Sequence, residues 1–267
     1  SITLTGGSAQ FTRAEIASYG NQSVVAEAGD ISLTQSGLGE ARIGNGFTYQ
    51  TFLLPDPLAN TFVLSAGASG TGSLILNGGS IWADDALQLY AGSAGQLNSG
   101  YIKVGQASGA APAGTIVVDA GKTLDLSGSL TGGALTNNGT FTLIGASYLA
   151  DSGIVNNGTL ELQSTTAGAG SVGTSTGTLA NSAGATLRSI STGSTVANTV
   201  SGNVDNSGLI DATNDLVITG ALTIPSTATG LVVTGAGSLT LNGALTINAT
   251  SALNQPVIGG AGLLVTN

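Results

Sequence analysis

A returning phrase limits this fold more than any other feature of the chain. Leu135-Thr136-Asn137-Asn138-Gly139-Thr140-Phe141-Thr142-Leu143 comes back 19 residues later as Ile154-Val155-Asn156-Asn157-Gly158-Thr159-Leu160-Glu161-Leu162. Looser copies occupy 179–187 and 204–210. Each copy is an apolar run, a turn rich in Asn, Ser and Gly, and a second apolar run. A period of about 20 residues or more marks a solenoid or array, in which one unit cannot bury its own apolar face. Within Thr159-Leu160-Glu161-Leu162 the alternation sends Leu to one face and polar groups to the other. Gly and Asn suit the corners, where tight turns ask for positive φ.

The same scheme extends over the chain with other turns. Units at 24–33 and 117–126 turn on Ala-Gly pairs, and those at 62–76 and 87–104 are longer. Units at 216–220, 231–235, 239–243 and 245–248 follow closely on one another. The expected fold is all-β, a right-handed parallel β-helix running as one solenoid through 1–267. At about 4.8 Å per coil, ten or more coils would measure roughly 60 Å. The rival is an array of β-sandwiches, which also shows short strands between turns. Sandwiches lean on aromatic core anchors, and this chain has one Trp, five Tyr and five Phe. Both ends read as cuts through a longer array. The stretch 43–62 breaks the rhythm with Phe47, Tyr49, Phe52, Pro55, Pro57 and Phe62. It is expected to form a loop or hairpin outside the coils.

Composition narrows the function. There is no Cys and no His, so Cys-built metal centres and Ser-His-Asp or Cys-His chemistry are excluded. Arg13, Arg42, Lys103, Lys122 and Arg188 are the five cations against a net charge of −9. They lie far apart in sequence, which argues against nucleic acid and anionic membrane surfaces as partners. No apolar stretch reaches transmembrane length.

The repeat style resembles the passengers of filamentous haemagglutinin-like two-partner secretion exoproteins, and also autotransporter passengers. The residues that carry the resemblance are the turns Asn137 to Thr140 and Asn156 to Thr159, together with Ala28-Gly29-Asp30-Ile31-Ser32-Leu33 and Asp84-Asp85-Ala86-Leu87-Gln88-Leu89-Tyr90-Ala91-Gly92. It implies a secreted protein of the bacterial cell surface that meets an outer-membrane transporter during export. The role it implies is a structural stalk or adhesin segment in adhesion, aggregation or biofilm, with a glycan, a surface protein or a second copy as partner. It also implies that Asn21, Asn138, Asn157 and Asn248, each opening an Asn-X-Ser/Thr triplet, are possible glycan acceptors.

Exposed aromatics supply contact area at low entropic cost. Phe47, Tyr49, Phe52 and Phe62, with Trp82 and Tyr90, are therefore the candidate binding residues. Asn138, Asn157, Asn181 and Asn206 are expected to stack as a hydrogen-bonded ladder at successive corners. Catalysis would need two carboxylates flanking one bond. Asp84 with Asp85, Asp119 with Asp125, and Asp205 with Asp211 or Asp215 are the pairs to weigh, each also an ordinary turn residue. On the sequence, no catalytic residue, metal or cofactor is assigned and the chain is read as not an enzyme. A polysaccharide-degrading lyase or hydrolase is the alternative.

Overall fold

The computed structural model describes residues 1–9, 13–18, 20–36, 40–45, 61–67, 71–105, 114–225, 232–234, 236–248, 257–258 and 263–265. The chain divides into two compact units, Ser1–Gly133 and Ala134–Asn267. Among the described residues thirty short strands form, and they pair in parallel. A parallel pair needs a crossover connection between its members. Here the crossovers are themselves strands belonging to other columns.

In the first unit the strands stack in three columns. One runs Ile2–Thr5, Ile31–Thr34, Leu74–Asn77, Gly95–Leu97 and Ser129–Thr131. The second runs Arg13–Ser18, Glu40–Asn45, Ser80–Ala83, Tyr101–Val104 and Thr115–Val118. The third runs Gln22–Ala26, Thr61–Ala66, Ala86–Tyr90 and Thr123–Ser127. Period-two alternation decides which side chains point inward. In Thr61–Ala66, for example, Phe62, Leu64 and Ala66 are wholly buried. Corner side chains take up backbone donors that the strands leave over. Asn21 Oδ1 accepts from Thr61 N at 2.8 Å, Asp30 Oδ1 from Ser73 N at 2.8 Å, and Asn45 Oδ1 from Asp84 N at 3.1 Å.

The second unit repeats the inward alternation with different joints. One column runs Thr140–Ile144, Thr159–Thr165, Thr186–Thr192, Leu209–Ala212, Val232–Thr234 and Val257–Ile258. The other two columns are fused. Ser171–Asn181 and Asn198–Asn206 each run on from one column into the next, with a register shift between Gly173 and Thr178. Leu160, Leu162, Leu187 and Ile210 fill the interior, each contributing about 1.5–3 kcal/mol by leaving water.

These findings correct the expected fold class. Each unit is all-β and fully parallel, with a barrel-like or solenoid-like winding, and lacks the regular coil repeat of a right-handed parallel β-helix. Gln22 pairs with Phe62 and Thr61 bonds Asn21 40 residues away, yet Tyr101 pairs with Thr115 only 14 residues on, within the same column. The repeat of 19 residues holds between Asn137 and Asn156 and widens to 25 at the next two steps. Insertions at corners cost little, because the closure entropy of a loop grows only slowly with its length. The period is therefore free to drift, and "repeat" describes three or four turns rather than the whole chain. The likeness to filamentous haemagglutinin-like passengers rested on that repeat style and falls with it. The stretch expected as an extra loop lies outside the described residues from 46 to 60, while Ile43, Gly44 and Asn45 end one strand and Thr61 and Phe62 begin another.

Candidate functional site

The site stands on buried asparagines. Asn137, Asn156, Asn181 and Asn206 are at most 1% exposed, at the corner where one column of the second unit hands over to the next. Three of the side-chain amides donate to the following amide oxygen: Asn137 Nδ2 to Asn156 Oδ1 at 2.8 Å, Asn156 to Asn181 at 2.8 Å, Asn181 to Asn206 at 2.7 Å. The second proton on each amide is also used. It goes to the backbone carbonyl of Thr159 at 2.8 Å, Thr186 at 3.0 Å and Leu209 at 3.1 Å. The ladder thus holds the first residue of three adjacent strands in register.

Two residues further along those strands lies a charged row. Glu161, Arg188 and Asp211 are direct register partners on neighbouring strands. Arg188 Nε donates to Asp211 Oδ2 at 3.0 Å, and Nη1 reaches Glu161 Oε2 at 3.6 Å. The carboxylate side chains are 17–18% exposed and the arginine 41%. Thr213 Oγ1 donates to the other Asp211 oxygen at 3.3 Å. Because both carboxylates contact nitrogens of one planar guanidinium, they lie inside the roughly 9.5 Å limit within which two carboxylates can act on one glycosidic bond. On the same strands, half-buried Thr159 and Thr186 precede the row, and Gln163 Nε2 donates to Thr192 Oγ1 at 2.8 Å beyond it.

A second interior network backs the far end of these strands. Asn198, Ser164 and Ser189 are wholly buried. Asn198 Nδ2 donates to Ser189 Oγ at 2.9 Å, and Asn198 Oδ1 accepts from Gly170 N at 2.7 Å. Asn214 Nδ2 donates to Ser164 Oγ at 3.1 Å. Buried polar groups are expensive unless each is bonded, and networks that are bonded throughout rigidify what they touch.

The first unit gathers charge differently. Arg42 lies 4.9 Å over the ring of Trp82, and Trp82 meets Tyr101 edge-on at 6.4 Å. Arg42 Nε is 3.5 Å from Glu15. Lys103 Nζ is 3.1 Å from Asp119, and Lys122 Nζ contacts Asp85. Gly105, at φ +145°, leaves room for the Asp119 carboxylate, which would lie 2.0 Å from a Cβ at that position.

The remaining sequence candidates fall as follows. Phe62 is wholly buried, and Trp82 is 7% exposed with its face under a guanidinium, so neither is an open stacking platform. Tyr90 is half-buried. Phe47, Tyr49 and Phe52 lie outside the described residues. Asn181 and Asn206 belong to the buried ladder. Asn138 and Asn157 belong to a separate outer chain, in which Asn157 Nδ2 donates to Asn138 Oδ1 at 2.9 Å and Ser182 Oγ donates to Asn157 Oδ1 at 2.6 Å. Asp205 sits on another column from Asp211, and Asp215 is taken up by Ser238. Asp119 and Asp125 part at a corner, the first toward Lys103, the second beside Gln88.

The reading as a stalk or adhesin segment without catalysis is corrected here. It rested on the absence of His and Cys and of any close group of carboxylates in the sequence. Register brings Glu161, Arg188 and Asp211 together on one face, over a buried hydrogen-bond network that a plain spacer has no need of. That arrangement suits an enzyme or ligand-binding barrel. Glu161 and Arg188 were missed as site residues, although a signal was present. Aligned as repeats, Thr159-Leu160-Glu161, Thr186-Leu187-Arg188 and Leu209-Ile210-Asp211 put alternating charge in one position. No family model, no curated protein and no solved structure matches the chain.

Proposed function

We propose that the chain binds a polysaccharide on the face bearing Glu161, Arg188 and Asp211 and hydrolyses it there. The observation that carries this is the register: two carboxylates on alternate strands, held over one guanidinium between them. Asp211 is held by Arg188 and Thr213 beside the developing positive charge at the sugar. Glu161, on a longer stem and with the longer contact to Arg188, passes a proton taken up from solvent to the leaving oxygen. Water completes the cleavage, adding hydroxyl to the anomeric carbon and giving its proton back to solvent through Glu161. A polymeric glycan is met outside the cell, so a secreted or cell-surface location goes with this proposal.

The test is release of reducing ends from a panel of polysaccharides. Glu161→Gln and Asp211→Asn should each lower release by about a hundredfold or more, the usual scale for loss of an acid or base. Release that is unaffected by both substitutions, or no release and no binding with any polymer, would overturn the proposal.

A further inference from the structure

We infer that the polymer taken by this face is an uncharged glycan and not a uronate or sulfated one, an inference that rests on the reading just given. Arg188 is the cation of the row, and a carboxylate lies on either side of it. Its charge is spent on fixing Glu161 and Asp211, and the row as a whole carries one negative charge in excess. The chain around it stands at −9. A field of that sign holds acidic polymers off, most strongly at low salt.

The neighbouring side chains point to the same substrate. Thr159 and Thr186 are direct partners on adjacent strands, and Gln163 and Thr192 are joined by a hydrogen bond at the other side of the row. Hydroxyl and amide groups of this kind both donate and accept, which matches the hydroxyls of a neutral sugar. An acidic sugar would instead call for an unspent arginine or lysine placed to grip its carboxylate in a fork.

The charge balance can be inverted without touching the backbone. In the double variant Glu161→Gln with Asp211→Asn, the row changes from one negative charge in excess to one positive charge. The experiment measures binding of a neutral β-glucan and of a polyuronate by the wild-type chain and by this variant, at low and at high salt, beside reducing-end release by the wild type. The expected result is wild-type binding and cleavage of the neutral polymer with little salt dependence, and no binding of the polyuronate. The double variant should gain polyuronate binding that salt abolishes. Thr186→Ala and Gln163→Ala should each weaken neutral-polymer binding about threefold to tenfold, the scale of one lost hydrogen bond. Wild-type preference for the polyuronate overturns the substrate class and leaves the hydrolase reading standing. Failure to bind or cleave either polymer overturns both.

Discussion

Two chains of side-chain hydrogen bonds run side by side in the second unit, and they begin one residue apart. The inner one links Asn137, Asn156, Asn181 and Asn206, and all four are buried. The outer one links Asn138, Asn157 and Ser182 at the surface. Distances in the two are alike, 2.7–2.8 Å inside and 2.6–2.9 Å outside. What differs is the alternative open to each group. An outer amide that loses its partner turns to water, whereas an inner one is left without any. Equal geometry therefore carries unequal energy, and only the inner chain can fix the strands that bear Glu161, Arg188 and Asp211.

The strongest break in this comparison is Asn156→Ala. It strips a donor from Asn181 Oδ1 and from the Thr186 carbonyl, and an acceptor from Asn137 Nδ2. At one to three kcal/mol for each buried group left unpaired, the loss should reach about 3 kcal/mol or more. The denaturant midpoint of the chain measures it. Release of reducing ends should fall as well, because the strand that carries Arg188 loses its clamp.

Gly158→Ala should cost less, about 1–3 kcal/mol, on the scale of overpacking. Gly158 lies directly against the turn before it, where a Cβ would come within 2.1 Å of the Gly139 carbonyl oxygen. Backbone is the obstacle, so the turn must shift and the ladder beside it with it. A stability unchanged from wild type would show that the turns stack more loosely than this contact implies.

Asn157→Ala sharpens the contrast from the other side. The change removes the central link of the outer chain, one position from the costly Asn156, and should alter the midpoint by no more than about 0.5 kcal/mol, as surface substitutions do. Comparable losses at positions 156 and 157 would mean that burial does not separate the two chains.

The same contrast explains what could be read in advance. Strand-forming runs, corner residues and inward leucines follow from local pattern, and the alternation in Thr159-Leu160-Glu161-Leu162 survives intact as half-buried and buried positions. The Asn-rich turns also announced hydrogen bonding along the stack. Which of two adjacent asparagines faces inward depends on where the strand ends. The repeat phrase is the same for both, and the surface chain took Asn138 and Asn157. The path of the tube was less legible still. That Ser171–Asn181 bridges two columns, or that Tyr101 returns to its own column at Thr115, is decided by packing between distant segments. The charged row needed register, which a single charge in each repeat cannot reveal until the repeats are aligned.

The smallest effect belongs to a corner that does at the surface what the ladder does inside. Asp215 Oδ1 accepts from Ser238 N at 2.7 Å and from Ser238 Oγ at 2.8 Å, across one turn of the tube. The backbone bond first, and the hydroxyl second, hold its carboxyl below the ordinary aspartate value of 3.8. A carboxylate whose folded pKa is lowered adds stability that is fully present above the unfolded pKa. That stability is lost as pH falls through the folded value, so its window lies at and below 3.8. The group is almost wholly in water, so solvent screening keeps the contribution small. Asp215→Asn should therefore lower stability slightly at pH 7 and remove a small part of its loss in acid. Unfolding midpoints of wild type and variant, compared at neutral pH and then below 3.8, should converge as pH falls. A gap that widens in acid would mean that Ser238 Oγ accepts from the protonated carboxyl instead of donating to the ionised one.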